Sequence, residues 1–211
     1  MKIGTKSVLF GGHCFFIHPF FVALAWTKLY GFPTDIRLWV SFFVHDLGYW
    51  GKPNMDGAEG ETHVLLGANI MHWLFDRPSP KARRLGYSWL RGTTWRDFCL
   101  CHSRFYAKQL GLMYSKLCVA DKLAVCLEPW WLYLFRVTLS GEVHEYMALA
   151  GGKKGSKYAG EPNSKYVSMK LNTGTKRDWF VGMTMYLREW VEEHKDMKED
   201  TWTPSKKQSE V

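Results

Sequence analysis

The chain has 211 residues, a length that suits one domain with a buried core. Hydrophobic residues make up 46% of it and aromatic residues 16%, a composition that excludes an intrinsically disordered protein. The formal net charge of +8 fits a phosphorylated partner, either a small molecule such as a nucleotide or a nucleic acid. The sequence contains no recognisable nucleic-acid-binding motif, so the small molecule is favoured.

Cysteine usage and the N-terminal sequence indicate where the protein acts. The chain has five Cys, mostly within apolar stretches, and no zinc-type C-x-x-C pair, so we predict free thiols in a reducing compartment. The run "SVLFGGHCFFIHPFFVALAW" superficially resembles a signal peptide or a membrane span, but His13, His18 and Pro19 interrupt it. We therefore expect a mature cytoplasmic N-terminus and no membrane partner.

Helix punctuation dominates the first part of the chain. Pro19 is placed to open a helix that ends at Gly31. The stretch "PTDIRLWVSFFVHDLG" predicts a second helix, with Thr34 as its N-cap and Gly48 as its stop. Apolar residues at helical spacing predict a third over "ETHVLLGANIMHWLF".

Four further helical segments follow. They are "SPKARRLGYSWLRG", "TTWRDFCLCHSRFYAKQLG", the long apolar "MYSKLCVADKLAVCLEPWWLYLFRV", bent near Pro129, and "RDWFVGMTMYLREWVEEHK". Period-2 alternation is scarce, so we predict an all-α fold. We expect a domain over 1–150, an exposed basic Gly/Lys-rich loop over 151–177, a C-terminal helix over 178–200 packed on the same domain, and a disordered tail over 201–211.

Six potential metal ligands lie on or beside these helices. They are His18, His45, Asp46, His63, His102 and Asp121. Asp121 is the most informative, because a carboxylate among the apolar neighbours of "SKLCVADKLAVCL" needs a cation or several hydrogen-bond donors. Lys122 is an unsuitable partner on this argument, since consecutive helix residues point about 100° apart. Imidazoles and carboxylates together suit Mn, Fe, Co, Ni or Zn.

Taken in order, these residues resemble the HD-domain superfamily of metal-dependent phosphohydrolases. The first His lies in "IHPFFVALAWTKLYG", the His-Asp pair in "FFVHDLGYWG" and the distant Asp in "VADKLA", so the resemblance covers residues 10–127. The elements "ETHVLLGANI" and "CLCHSRFYAK" are similar to the additional His elements of dinuclear members. The acidic pair of the alarmone hydrolases and the Gly-Tyr-Pro signature of the HD-GYP phosphodiesterases are missing, so neither substrate is implied.

The resemblance implies a helical bundle of the HD type with one or two divalent transition-metal ions. His18, His45, Asp46 and Asp121 would hold one ion, and Asp46 would bridge to a second ion held by His63 and His102. The activity implied is hydrolysis of a nucleotide phosphate ester or anhydride through metal-activated hydroxide. Two other functions stay open. Inositol-oxygenase-like HD proteins are similar in ligand set and hold mixed-valent diiron, and a basic binding module with a relic core is the third possibility.

Other polar residues are assigned by position. Asp46 is the central catalytic residue, and four cations are candidates for contacting the substrate phosphate: Lys52, Arg104, Lys108 and Lys122. His13 lies five residues before His18, so one helix face cannot present both, and His13 is expected to be structural. His72 is expected to pack, and His144 and His194 to lie at the surface. Three acidic residues follow the His-Asp pair: Asp56, Glu59 and Glu61. They would either hydrogen-bond to metal ligands or relay protons, or belong to a solvated loop and a helix start.

Overall fold

A computed structural model describes residues 1–56, 59–76, 94–150 and 174–203. Over these ranges the chain forms ten α-helices and no strand, which confirms the prediction of an all-α protein. The helices are α1 (Ile3–Phe10), α2 (His18–Tyr30), α3 (Ile36–Val44), α4 (Val64–Met71), α5 (Trp95–Leu100), α6 (Arg104–Gln109), α7 (Lys116–Leu127), α8 (Trp130–Ser140), α9 (Glu142–Ala150) and α10 (Lys176–His194). Short 3-10 turns lie at Leu47–Tyr49 and Gly60–His63, and a π-helical turn, His72–Asp76, extends α4.

The ends of α2 follow from its sequence, whereas those of α3 differ from the prediction. Pro19 lies in the first turn of α2, and Gly31, with φ at 88°, ends the helix. The predicted cap Thr34 is wrong, because Asp35 is the N-cap of α3 and its carboxylate accepts the Arg37 N–H at 2.9 Å. The helix also ends before Gly48, which lies against the His63 carbonyl where a Cβ would overlap.

Two segments that were predicted as single helices are each broken in two. Ser103 caps α6 by accepting the Tyr106 N–H, which separates α6 from α5. Before Pro129, Glu128 is extended, with ψ at 135°, so α7 ends and α8 begins there. Helices α1 and α9 were not predicted. The predicted helix "SPKARRLGYSWLRG" lies outside the described residues, as do the basic loop up to residue 173 and the tail from residue 204.

Helix α7 lies at the centre of the molecule, between α2 and α10. One core cluster joins α7 to α2 and α3 through Trp26, Phe42 and Leu117. Another joins the opposite side of α7 to α10 through Cys118 and Trp190. Because α7 is covered on both sides, Asp121 in its middle is held inside the protein.

Two further predictions concern the cysteine thiols and the possibility of a membrane span. All five Cys are buried and free, as predicted. Within the part of the chain that the structure describes, every helix is too short or too polar to cross a membrane.

Candidate metal centre

The six candidate ligands converge at one place although they come from five separate parts of the chain. His18 begins α2, His45 and Asp46 follow α3, and Asp121 lies within α7. His63 ends the 3-10 turn before α4, and His102 lies in the link between α5 and α6. All six side chains are buried. The sequence therefore identified a true spatial cluster.

The first half of the centre is formed by His18, His45, Asp46 and Asp121, whose ligand atoms lie within 4.8 Å of one another. The His18 Nε2 atom is 3.0 Å from Asp121 Oδ1 and 3.5 Å from Asp46 Oδ2. The His45 Nε2 atom is 3.0 Å from Asp46 Oδ2 and 3.8 Å from Asp121 Oδ1. Two imidazole nitrogens and two carboxylates thus face a common point.

The second half consists of Asp46, His63 and His102, whose ligand atoms also lie within 4.8 Å of one another. The Asp46 Oδ1 atom is 3.2 Å from His102 Nε2 and 3.7 Å from His63 Nε2. Asp46 therefore turns one oxygen toward each half. This is the arrangement that a carboxylate bridging two cations requires.

Three of the four imidazoles are held in the tautomer that binds metals. The Nδ1–H groups of His45, His63 and His102 donate to the backbone carbonyls three residues earlier, at Phe42 (2.9 Å), Gly60 (2.8 Å) and Cys99 (2.6 Å). In the neutral rings each Nε2 atom then carries a lone pair directed at the centre. The Nε2 atoms of His63 and His102 lie only 3.1 Å apart, so two lone pairs face each other unless a cation or a proton lies between them.

The residues present fit a metal ion. The His45 Nε2 and Asp46 Oδ2 atoms are close together, but their approach lacks hydrogen-bond geometry, and both atoms are buried without a hydrogen-bond partner. Buried polar atoms are rarely left without a partner because the loss of hydration is costly. A donor set of imidazoles and carboxylates suits a divalent transition metal. The two overlapping groups offer positions for one or two ions.

In the metal-free protein the two halves differ in how they hold protons. Burial lowers the pKa of His45, but the Asp46 and Asp121 carboxylates together outweigh burial and raise that pKa to about 10. Burial lowers the pKa values of His63 and His102, and their proximity to other imidazoles lowers them further. Burial raises the pKa of Asp46, but His45, His13 and His102 together outweigh burial and hold that pKa well below its usual range. The second half is therefore ready for a cation at neutral pH, whereas the first must release a proton.

A cavity of about 180 Å³ opens onto the centre, and two of the four candidate cations line it. Lys122 is one of them, and its Nζ atom lies 2.7 Å from Asp121 Oδ2. The prediction that Lys122 is an unsuitable partner for Asp121 was wrong, because its ammonium group reaches that carboxylate although the two residues are consecutive in α7. Arg104 is the other. Its guanidinium lies over the Trp190 ring at 4.8 Å and donates to the Tyr186 hydroxyl.

The structure does not bring Lys52 and Lys108 to the described lining of this cavity. The Lys52 Nζ atom donates to the Thr62 hydroxyl at 2.5 Å. The Lys108 Nζ atom donates to the backbone carbonyls of Asp200 and Thr203, which ties the end of the described chain to α6. Both ammonium groups are engaged in internal hydrogen bonds.

Several further predictions concern residues around the site. Asp56 and Glu61 line the cavity, whereas Glu59 accepts a hydrogen bond from Asn54 away from it. Tyr49 is buried and stacks on the His63 ring at 3.9 Å, which fixes that ligand from one side.

The remaining histidines give mixed outcomes. His144 is exposed, as predicted. His72 is largely exposed, 3.7 Å from Asp76, instead of packed. The prediction that His194 is a surface residue was wrong, since it is fully buried and stacks on Trp190 at 4.4 Å. His13 lines the cavity, a position that sequence reasoning missed.

Comparison with protein-family models, with curated proteins and with solved structures finds no match to this chain. The features that indicate its function are therefore the buried His/Asp cluster and the cavity beside it. That cluster is compatible with a metal-dependent enzyme.

Proposed function

We propose that the chain is a cytoplasmic metal-dependent phosphohydrolase of the HD type, which acts on a nucleotide phosphate ester or anhydride. The observation that carries the proposal is the shared position of Asp46, with one oxygen toward His45 and the other toward His102. This arrangement suits two neighbouring divalent ions. When bound, such ions lower the pKa of a coordinated water and offset charge on a phosphoryl group.

The protein residues contribute binding and charge. His18, His45 and Asp121 would hold one ion with Asp46, and His63 and His102 would hold the other. The backbone carbonyls that fix the Nδ1–H groups keep three of these rings oriented before the ion arrives, and such support raises metal affinity.

Arg104 and Lys122 are the groups proposed to bind the phosphoryl oxygens. Both line the cavity beside the ligands. A planar guanidinium pairs well with phosphate oxygens, and an ammonium group supplies a compact positive charge. Stacking on Trp190 keeps the Arg104 guanidinium in place without removing its charge.

The cavity limits how much of a substrate is enclosed. Its volume of about 180 Å³ lies below the roughly 300–1,000 Å³ of pockets that enclose a whole drug-sized ligand. A phosphoryl group fits inside, and we propose that the rest of the nucleotide lies outside. The net charge of +8 favours such an anionic substrate.

The test combines metal content with an anaerobic assay. Protein purified without added metal is subjected to elemental analysis, and the protein is then assayed with Mn²⁺ or Co²⁺ for phosphate release from a nucleotide panel and from p-nitrophenyl phosphate. We expect up to two ions per chain and hydrolysis without O₂. Asp121→Ala should lose both metal and activity. Its matched control is Asp196→Ala, which removes an exposed carboxylate and should retain both. Iron content with a requirement for O₂ would instead show the oxygenase, and protein without metal or hydrolysis would contradict the proposal.

A further inference from the structure

His13 lies beside the metal centre but belongs to neither group of ligands. It follows Gly11 and Gly12 in the link between α1 and α2. Its side chain is 21% exposed and lines the same cavity as Asp46 and His63. The Tyr49 ring packs against the imidazole at a centroid distance of 4.6 Å, which restricts its orientation.

A buried carboxylate supports His13 from behind. Glu142, at the start of α9, is fully buried and lies 3.5 Å from the His13 Nδ1 atom. The Gly12 N–H donates to Glu142 at 3.0 Å, and the hydroxyls of Ser140 and Tyr146 also donate to it. These donors compensate the loss of hydration that burial of the carboxylate entails.

The Gly-Gly sequence before His13 allows this carboxylate to come so close. A Cβ at Gly11 would overlap the Glu142 Oε1 atom, and a Cβ at Gly12 would lie 2.9 Å from Oε2. The chain therefore passes directly over Glu142 only because both residues lack side chains. Three successive residues, Gly11, Gly12 and His13, are fitted to one buried carboxylate.

The partners of His13 determine which ring nitrogen is available to a ligand. The Ser7 hydroxyl lies 2.8 Å from Nδ1 and also accepts the His13 backbone N–H at 3.4 Å. Glu142 approaches the same ring nitrogen. Because Nδ1 is engaged on the Ser7 and Glu142 side, Nε2 is the nitrogen left for the cavity.

We propose that His13 is a substrate-binding residue whose Nε2 atom forms a hydrogen bond with a phosphoryl oxygen of the substrate held at the metal centre. The inference rests on the proposed function and deepens it. Ser7 and Glu142 act as positioning residues, since they hold the imidazole in place from its other side. With Arg104 and Lys122, His13 gives the cavity three side chains that can contact one phosphoryl group.

Two amide substitutions separate substrate contact from a structural role. In His13→Asn the short amide replaces Nδ1 and keeps a polar atom near Ser7 and Glu142, but nothing reaches the position of Nε2. In His13→Gln the longer amide places a donor near the position of Nε2. A structural role therefore predicts that Asn is tolerated at least as well as Gln, whereas substrate contact predicts the reverse.

The experiment measures inorganic phosphate binding to the metal-loaded full chain by calorimetry, with metal content and melting temperature determined on the same samples. We expect His13→Asn to weaken phosphate binding by about 10-fold or more, the usual effect of losing a hydrogen bond to a charged group. His13→Gln should retain most of the affinity, and His144→Ala, at an exposed histidine, should match the parent.

If His13→Asn retains its metal and binds phosphate as tightly as the parent, the proposed His13 contact is contradicted, but the proposed function is not. If both amide variants lose metal or fail to fold to the same degree, His13 has a structural role, and the proposed substrate contact is again contradicted. If the metal-loaded parent neither binds phosphate nor hydrolyses any ester, the proposed function fails together with this contact.

Discussion

The metal centre and the region around Glu128 are both buried and charged, but only the second has complete hydrogen bonding. The Glu128 carboxylate accepts from the Arg136 guanidinium, with the Nε atom at 3.0 Å, and another nitrogen of that guanidinium donates to the Gly11 carbonyl. In the metal centre, by contrast, His45 Nε2 and Asp46 Oδ2 are buried without a hydrogen-bond partner.

This difference distinguishes a structural ion pair from a ligand site. In the Glu128–Arg136 pair the opposite charges are both present in the chain, so each buried charge is balanced without any added ion. The metal centre has an excess of lone pairs and carboxylate charge, which only an external cation or protons can balance. Loss of a residue should therefore change metal dependence in one region and not in the other.

The largest effect is expected at Asp46. Asp46→Ala removes the side chain that, among the described residues, both halves of the centre share, so both ions should be lost. We expect hydrolysis to fall by more than roughly 100-fold, the scale on which one stabilising group at a reacting centre acts. The melting temperature should become insensitive to added metal, because ligand binding to the native state no longer contributes. Metal analysis, thermal melts and phosphate-release assays measure the three quantities.

The exposed Asp196→Ala variant serves as the control and should behave like the parent in all three measurements. Retention of two ions per chain by Asp46→Ala would show that the carboxylate does not bridge. Hydrolysis at the parent rate would contradict its catalytic role.

The structural pair should give a large loss of stability of a different kind. Glu128→Ala leaves the Arg136 guanidinium buried and without its carboxylate, which costs about 3–5 kcal/mol when one partner of a buried pair is removed. The free energy of unfolding, measured by denaturant titration, should fall by the same amount with and without metal. A loss that appears only in the metal-loaded protein would mean that the two regions are coupled.

His63 tests whether the two halves are separate. His63→Ala should empty the second position and leave one ion per chain at His18, His45, Asp46 and Asp121. Hydrolysis should fall less than in Asp46→Ala if one ion suffices, and nearly as far if two are required. His144→Ala controls for removal of a histidine elsewhere. Loss of both ions from His63→Ala would contradict a divided centre.

The six ligands could be predicted because their order along the chain resembles the HD-domain pattern, and because Asp121 is a carboxylate among apolar neighbours, where burial requires a partner. The position of His13 could not, since its spacing from His18 was interpreted as if both lay on one helix. The structure instead ends α1 at Phe10 and starts α2 at His18, so helix faces do not relate the two. The Gly11-Gly12 pair was the available signal, because adjacent glycines mark close approach of other groups.

Features that depend on distant contacts were beyond sequence reasoning. His194 was expected at the surface because it lies outside residues 10–127, the part of the chain that resembles HD domains. Its burial comes from the chain after α10, which folds back so that Trp202 packs edge-on against the imidazole. Lys108 is likewise engaged by the carbonyls of Asp200 and Thr203 in the same segment. No local pattern around residue 108 or 194 reports where that segment lies.

The smallest expected effect concerns protons, and it distinguishes the two halves by the pH dependence of their metal affinity. His45, with its pKa raised to about 10, is protonated at pH 7, so an ion entering the first half must displace that proton. Its apparent affinity should therefore rise about tenfold per pH unit from pH 7 to 9. The pKa values of His63 and His102 are lowered, so both rings are already neutral and the second half should respond little over this range.

Calorimetric metal titrations in buffers of different ionisation enthalpy count the protons released. His63→Ala isolates the first half and should release about one proton per ion at pH 7, whereas His45→Ala should release close to none. Equal proton release from the two variants would show that Asp46 does not divide the centre into halves with different proton affinity.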